Sequence, residues 1–402
     1  MVSFYRDNAN VPGTGEVVYS LTEQRSGRFR MAPKALEVAR ELADLLAKRE
    51  GEDAEAFPAA SIADIKAAKL NAAPFRTDEG GLGASIVECV EVIERIAAAS
   101  ASTALLLSMP LGLAGIYATE FSPPDPHVAA WKAQCERVTA DYRAGRWYAA
   151  CNSEKGAGGS LSATRTMATR RADGVFAITG EKILASGGSF ADVFFSTAKV
   201  DPGDLPGAGI VEFFFVNTRS PGVNILNDWD GFGMRSTESQ TVRYDAAQAR
   251  ELMGFPNFIA AVQPLQYFFC LFAAIPLGCV RMMLSTLSNP TPSSPALRSR
   301  LSDAQMRYEA MRAYLLETAG QWKVAAGPAY GSRVLRTKTY VTQEATKLCA
   351  ELFALSGGRH YRRSSPLARA FADAFAGTAL RPPLPLALET LAEGFAFGDG
   401  QA

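Results

Sequence analysis

Cys151-Asn152-Ser153-Glu154-Lys155-Gly156-Ala157-Gly158-Gly159-Ser160 and, further on, Gly180-Glu181-Lys182-Ile183-Leu184-Ala185-Ser186-Gly187-Gly188 decide how the chain is read. The glycines from 156 to 159 let a backbone approach a ligand closely, phosphates included. Asn152, Ser153 and Ser186 add amide and hydroxyl groups beside them. Either segment alone reads as a plain turn; their order and surroundings carry more. Thr164 to Arg171 is rich in threonine, and Asp173-Gly174 is a strong hairpin signal. Val175–Thr179, Asp192–Val200, Ile210–Asn217 and Gln240–Tyr244 bring β-branched and aromatic residues between Gly/Pro turns. These features predict a β domain of roughly 100 residues, an ordinary single-domain size, over 148–250.

The chain on either side reads as helices. Pro33 can open one, with Leu36, Ala39, Ala43 and Leu46 on one face opposite Lys34, Arg40 and Glu41. A break at Glu79-Gly80-Gly81-Leu82-Gly83 precedes a helical run from Ile86 to Leu107, and Pro123-Pro124-Asp125-Pro126 interrupts before Trp131. After the β domain, helices are expected over 257–288, 295–325, 333–356 and 366–376. The Phe258–Val280 stretch is apolar enough to resemble a membrane span. It holds Gln263, Pro264, Gln266 and Pro276, so a helix buried in a bundle explains it better, and no membrane span is expected.

The 402 residues suffice for two or three domains, and 48% hydrophobic with 20% charged residues argues against extensive disorder. Lysine plus arginine equals aspartate plus glutamate, 41 each, so no global field would attract nucleic acid. Six scattered cysteines without a CxxC pair, and the distant His127 and His360, give neither a disulfide framework nor a zinc site. Met1 through Arg6 lacks the pattern of a secretory signal, so a cytoplasmic protein is expected.

Helices, β domain, helices is also the order of the acyl-CoA dehydrogenase family, and five segments resemble it in register. Gly80-Gly81-Leu82-Gly83 with Ser102-Thr103-Ala104 resembles its N-terminal pattern. The 151–160 and 180–188 segments resemble its flavin-contacting strands, and Gly233-Met234-Arg235-Ser236-Thr237-Glu238-Ser239 the strand closing its β domain. Ser356-Gly357-Gly358 with Pro366-Leu367 through Asp373 resembles its last helices. The resemblance covers nearly the whole chain. It implies an α+β multidomain fold: an N-terminal helical domain (1–147), a central β-barrel domain (148–250) and a C-terminal four-helix bundle (251–402). It also implies a flavin, FAD or alternatively FMN, contacted by Asn152, Ser153, Leu184, Ala185, Ser186, Gly357 and Gly358. Gly159, Ser160 and Arg381 become substrate-binding candidates.

Four departures limit how much function the resemblance carries over. The family's usual base, a glutamate eight residues after Asp373, is Arg381; the alternative base, eight residues before Pro276, is Phe268. Neither can remove a proton next to a thioester carbonyl, so the catalytic base is left unassigned, with Glu389 and Glu393 as distant candidates. The tryptophan beside the flavin is replaced by Leu184. Two groups that hold the adenosine half of FAD are lost, one in the Asn289–Pro295 loop and one at Ala354. Three readings stay open. The first is a dehydrogenase acting on the CH–CH group of an acyl thioester, passing electrons to an acceptor. The second is a two-component monooxygenase or oxidase fed by a flavin reductase, and the third a non-catalytic descendant. The apolar surplus at Tyr267–Ile275 implies a homodimer or homotetramer.

Overall fold

The computed structural model describes residues 34–394; Met1–Arg6 and Pro33 lie outside them. Five helices come first: α1 (Lys34–Glu52), α2 (Ala59–Ala67), α3 (Ile86–Ala99), α4 (Ala101–Ala118) and α5 (Val128–Arg143). Eight strands follow: β1 (Tyr148–Cys151), β2 (Met167–Arg170), β3 (Phe176–Ala185), β4 (Val193–Val200), β5 (Glu212–Asn217), β6 (Val223–Ile225), β7 (Gln240–Gln248) and β8 (Glu251–Leu252). The chain then returns to helices: α6 (Phe258–Val262), α7 (Leu265–Ser288), α8 (Pro295–Ala319), α9 (Pro328–Leu355), α10 (Pro366–Ala379) and α11 (Leu384–Glu393). The α+β architecture expected from the sequence is present.

The strands curl into one sheet in the order β6-β7-β3-β2-β4-β5-β8, with β1 parallel to β4. The Asp173-Gly174 turn joins β2 to β3, where Gly174 takes φ 81° and Asp173 Oδ1 accepts the Val175 amide at 3.0 Å. β3 and β7 slip in register between Lys182 and Ala185, and Leu184 there adopts φ 58°, costly for a branched side chain. Leu184 and Ser186, two apart in sequence, both reach the cavity described below.

Several helix boundaries differ from those expected. The Ile86–Leu107 run splits at Ser100, whose Oγ accepts the Thr103 amide and caps α4. The helix expected over 257–288 breaks at Gln263, which takes φ 57° ahead of Pro264. α8 ends at Ala319 before Gly320, and α9 opens earlier than expected, with Pro328 in its first turn. α11 lies beyond the last helix that the sequence pattern predicts.

α7 forms the centre of the helical packing. Gly112 and Gly115 on α4 let it approach: a Cβ at Gly112 would sit 2.4 Å from the Phe268 ring, and one at Gly115 2.2 Å from Tyr267. Both α4 and α7 are long and apolar enough to cross a membrane, yet 94% and 78% of their apolar windows are buried within the fold. Tyr267, Phe268, Leu271, Ala274 and Ile275 are all covered by the chain itself. The surplus expected to face another subunit is therefore internal, and gives no support for an oligomer.

Candidate active site

An apolar cavity of ≈ 310 Å³ opens between the sheet and helices α4, α7 and α10. Phe195 of β4 packs against Phe268 with ring centroids 5.8 Å apart, and Phe268 against Phe272 at 6.1 Å. Together they make an aromatic wall. Phe232 and Phe375 meet edge-on at 6.3 Å, and both are partly open to solvent, which places them at the mouth. The polar edge comes from Asn152, Ser153, Ser186, Ser239 and Arg381.

The Asn152–Ser160 segment is anchored from below by a buried ion pair. Lys182 Nζ donates to Glu154 Oε1 at 2.7 Å, with both side chains almost fully enclosed. Glu154 also accepts the Arg165 and Thr166 amides at 2.7 and 3.1 Å and the Thr166 hydroxyl at 2.8 Å. Burial raises its pKa, but Lys182 and these donors outweigh that and hold the carboxyl down at about 2. Burial lowers the Lys182 pKa while Glu154 opposes the shift. With this many donors on the carboxylate, the pair is charged. Asn152 is fixed too, since its Oδ1 accepts the Thr197 amide at 3.0 Å.

Arg381 lies at the cavity edge. Its Nη2 donates to the Asn152 carbonyl at 3.2 Å, and its buried Nη1 has no hydrogen-bond partner among the described residues. Burial lowers the guanidinium pKa and Glu154 opposes the shift, but an arginine stays protonated at any working pH. Lys338 on α9 sets the loop that carries it. Lys338 Nζ donates to the Gly377, Leu380 and Pro382 carbonyls at 3.1, 2.7 and 2.7 Å, which caps the C-terminal end of α10. Burial pushes this ammonium down to about 7, yet three carbonyls for three N–H groups favour the charged form.

On the opposite side, the turn at Met234–Ser239 is held by Asp373. Asp373 Oδ1 accepts the Met234 amide at 2.6 Å, and burial pushes its carboxyl up to about 7. Ser186 Oγ is 2.8 Å from Ser239 Oγ, which is 2.7 Å from Thr237 Oγ1.

Among the residues expected at the site, Asn152, Ser153, Leu184, Ser186, Phe268 and Arg381 line the cavity. Others do not. Ala185 is fully buried at the end of β3 and is not part of the cavity lining. Gly159 instead makes room for Pro383: a Cβ there would lie 2.3 Å from the proline ring. The Ser160 hydroxyl is 2.8 Å from that of Ser162 and outside the lining. Gly357, at φ 81°, ends α9 just after its C-cap Ser356, and Gly358 follows in open space. Glu389 and Glu393 are exposed on α11, away from the cavity. Sequence reasoning missed Phe195, Trp229 and the supporting Lys338, and had Ser239 only as the end of the Gly233–Ser239 segment. Only Lys338 left a local trace, a lysine on the buried Val334–Val341–Ala345 stripe of α9.

Flat aromatic walls, a hydroxyl edge and a buried guanidinium nitrogen without a partner suit a planar ring with a polar rim, the shape of a flavin. No Asp, Glu or His is among the described residues lining the cavity.

Three family models match the chain: the acyl-CoA dehydrogenase N-terminal domain over 35–122, the middle domain over 149–247 and the C-terminal domain over 281–380. The chain is 22% identical over 333 residues to a probable acyl-CoA dehydrogenase, YngJ, of Bacillus subtilis (strain 168), covering 79% of this chain and 84% of that one. Among solved structures it resembles butyryl-CoA dehydrogenase from Megasphaera elsdenii, with a TM-score of 0.78 and 19% identity over 92% of this chain and 99% of that one. It also resembles FMN-bound TdsC from Paenibacillus sp. A11-2, with a TM-score of 0.76 and 23% identity over 90% and 96% of the two chains.

Proposed function

The chain belongs to the acyl-CoA dehydrogenase family of flavin-dependent oxidoreductases, and we propose that it works with reduced flavin and dioxygen on a small apolar substrate. The cavity lining carries this reading. Arg381 and Phe268 stand at the two base positions, and no side chain there can take a proton from carbon at neutral pH. Oxygen transfer from a flavin needs no such base. A bound reduced flavin would supply two electrons and one proton, with a second proton from the flavin or from solvent, so that one atom of dioxygen would enter the substrate and the other leave as water.

The protein's part is to bind and shield. Asn152, Ser153, Leu184 and Ser186 hold the reactive edge of the ring. The Arg381 guanidinium would meet an anion, either the deprotonated edge of reduced flavin or a substrate carboxylate. Phe195, Phe268 and Phe272 keep water from the reacting atoms. FMN suits the site better than FAD, because both groups that would hold an adenosine are missing. The solved structure of TdsC, bound to FMN, supports this choice. A separate flavin reductase is the implied partner of a cytoplasmic protein with domains at 1–147, 148–250 and 251–402.

A second reading, removal of hydrogens from the CH–CH group of an acyl thioester, draws on the likeness to butyryl-CoA dehydrogenase. It lacks a base in the cavity. One experiment separates the two. The purified chain is titrated anaerobically with reduced FMN and reduced FAD, and is assayed separately with butyryl-CoA and an artificial electron acceptor. Reduced FMN should bind and butyryl-CoA should not turn over. Robust butyryl-CoA oxidation would overturn the proposal.

A further inference from the structure

The turn beside the cavity holds its hydroxyl groups in a single direction. Thr237 Oγ1 lies 2.8 Å from the Met234 carbonyl oxygen, which also accepts Trp229 Nε1 at 3.1 Å. A carbonyl oxygen only accepts, so Thr237 gives its single hydroxyl proton to it. Ser239 Oγ, 2.7 Å from Thr237 Oγ1, must then donate to Thr237. Ser186 Oγ, 2.8 Å from Ser239 Oγ, must in turn donate to Ser239. Ser186 is buried, lines the cavity and has no proton left for it. Only its lone pairs face the ligand.

We infer that Thr237 and Ser239 are positioning residues that fix Ser186 as an acceptor, so that this edge of the cavity selects reduced over oxidised flavin. The inference rests on the reading that Ser186 faces the reactive edge of the ring. There the reduced form carries a hydrogen on N5 and the oxidised form presents a bare lone pair. An acceptor meets the first with a hydrogen bond and the second with two opposed lone pairs. A serine free to rotate would serve both forms, whereas this one is held by Ser239 and Thr237.

The test is the ratio of dissociation constants of the full-length protein for oxidised and reduced FMN, measured anaerobically. One hydrogen bond made in one state alone predicts that reduced FMN binds roughly tenfold tighter. For a two-electron couple that ratio raises the potential of the bound flavin by about 30 mV. Ser239→Ala leaves Ser186 its proton to offer to the cavity. Thr237→Val, nearly the same shape, frees the Ser239 proton for Ser186 and has the same effect. Both should bring the ratio close to one. Ser186→Ala should abolish the preference, and adding Thr237→Val to it should change nothing more. Binding of both forms with a ratio that neither Ser239→Ala nor Thr237→Val moves overturns the inference and leaves the flavin reading standing. Failure of the unmodified protein to bind either form removes both.

Discussion

Replacing Glu154 with glutamine tests how the 151–160 segment is held against the sheet. The carboxylate side chain is 2% exposed and receives Lys182 Nζ, two backbone amides and the Thr166 hydroxyl. Glutamine keeps the shape and one acceptor oxygen. It loses the charge and turns an NH₂ group toward donors. Burial alone would raise the pKa of Glu154, but Lys182 and the other donors bring it from 4.5 to about 2. At about 1.4 kcal/mol per pH unit, that lowering is worth about 3 kcal/mol to the folded state. A second route agrees: stripping one partner from a buried ion pair costs about 3–5 kcal/mol, because the other charge is left uncompensated.

The sign with pH comes from the same shift. A carboxyl with a depressed folded pKa stabilises fully above its unfolded value and loses that contribution as pH falls toward the folded one. The unmodified protein should therefore lose about 3 kcal/mol between roughly pH 4.5 and pH 2 through this group. Glu154→Gln should lack that part of the acid sensitivity and be less stable by about 3 kcal/mol at pH 7. Urea denaturation followed by tryptophan fluorescence at several pH values measures both. Glu154→Gln with Lys182→Met should be more stable than Glu154→Gln alone, since no buried charge then lacks a partner. A loss under about 1 kcal/mol at pH 7, or unchanged acid sensitivity, would refute the assignment of a charged pair.

Other variants probe the remaining supports. Arg381→Met removes a charged donor that lines the site, and should weaken reduced FMN by roughly 10- to 100-fold in an anaerobic titration. Arg381→Glu should raise butyryl-CoA oxidation above the level of the unmodified protein. Lys338→Met strands three carbonyls and should cost about 3 kcal/mol or more by urea denaturation, while also weakening flavin because the Arg381 loop loses its anchor. Asp373 behaves oppositely to Glu154: its folded pKa is raised from 3.8 to about 7, so its contribution is full below 3.8 and fades as pH rises through 7. Asp373→Asn keeps an acceptor for the Met234 amide and should be the more stable protein at pH 8 but not at pH 4, by the same denaturation assay.

Much of the architecture was legible because amphipathic faces repeat. The α1 stripe of Leu36, Ala39, Ala43 and Leu46 is buried as its spacing requires. Periodicity stops informing where a helix is apolar on every side. α4 is buried along nearly its whole length, so the break at Ser100 had only a capping residue to signal it. β6 and β8, three and two residues long, are too short to alternate visibly. Of the residues that the family spacing suggests, Asn152, Ser153, Leu184 and Ser186 line the cavity, whereas Gly159, Ser160, Gly357 and Gly358 lie outside its lining. Phe195 and Trp229 come from distant segments, and nothing local distinguishes them from core aromatics.

Counting eight residues from Asp373 found the position of Arg381 but could not give its direction. Direction comes from Lys338, whose ammonium gathers the carbonyls of 377, 380 and 382 and turns the loop so that Arg381 meets the Asn152 carbonyl. A buried cation so close to Lys182 would be unfavourable without Glu154, and Glu154 is already matched by Lys182. Among Glu154, Lys182 and Arg381 one positive charge is in excess, and Arg381 is the member of that trio whose buried nitrogen lacks a partner among the described residues. A carboxylate at that position would have placed a second negative charge near Glu154, with Lys182 as the buried cation beside it and the exposed Arg165 3.7 Å from Glu154. An arginine at this position thus offers the ligand a positive charge, which can hold an anion but cannot take a proton.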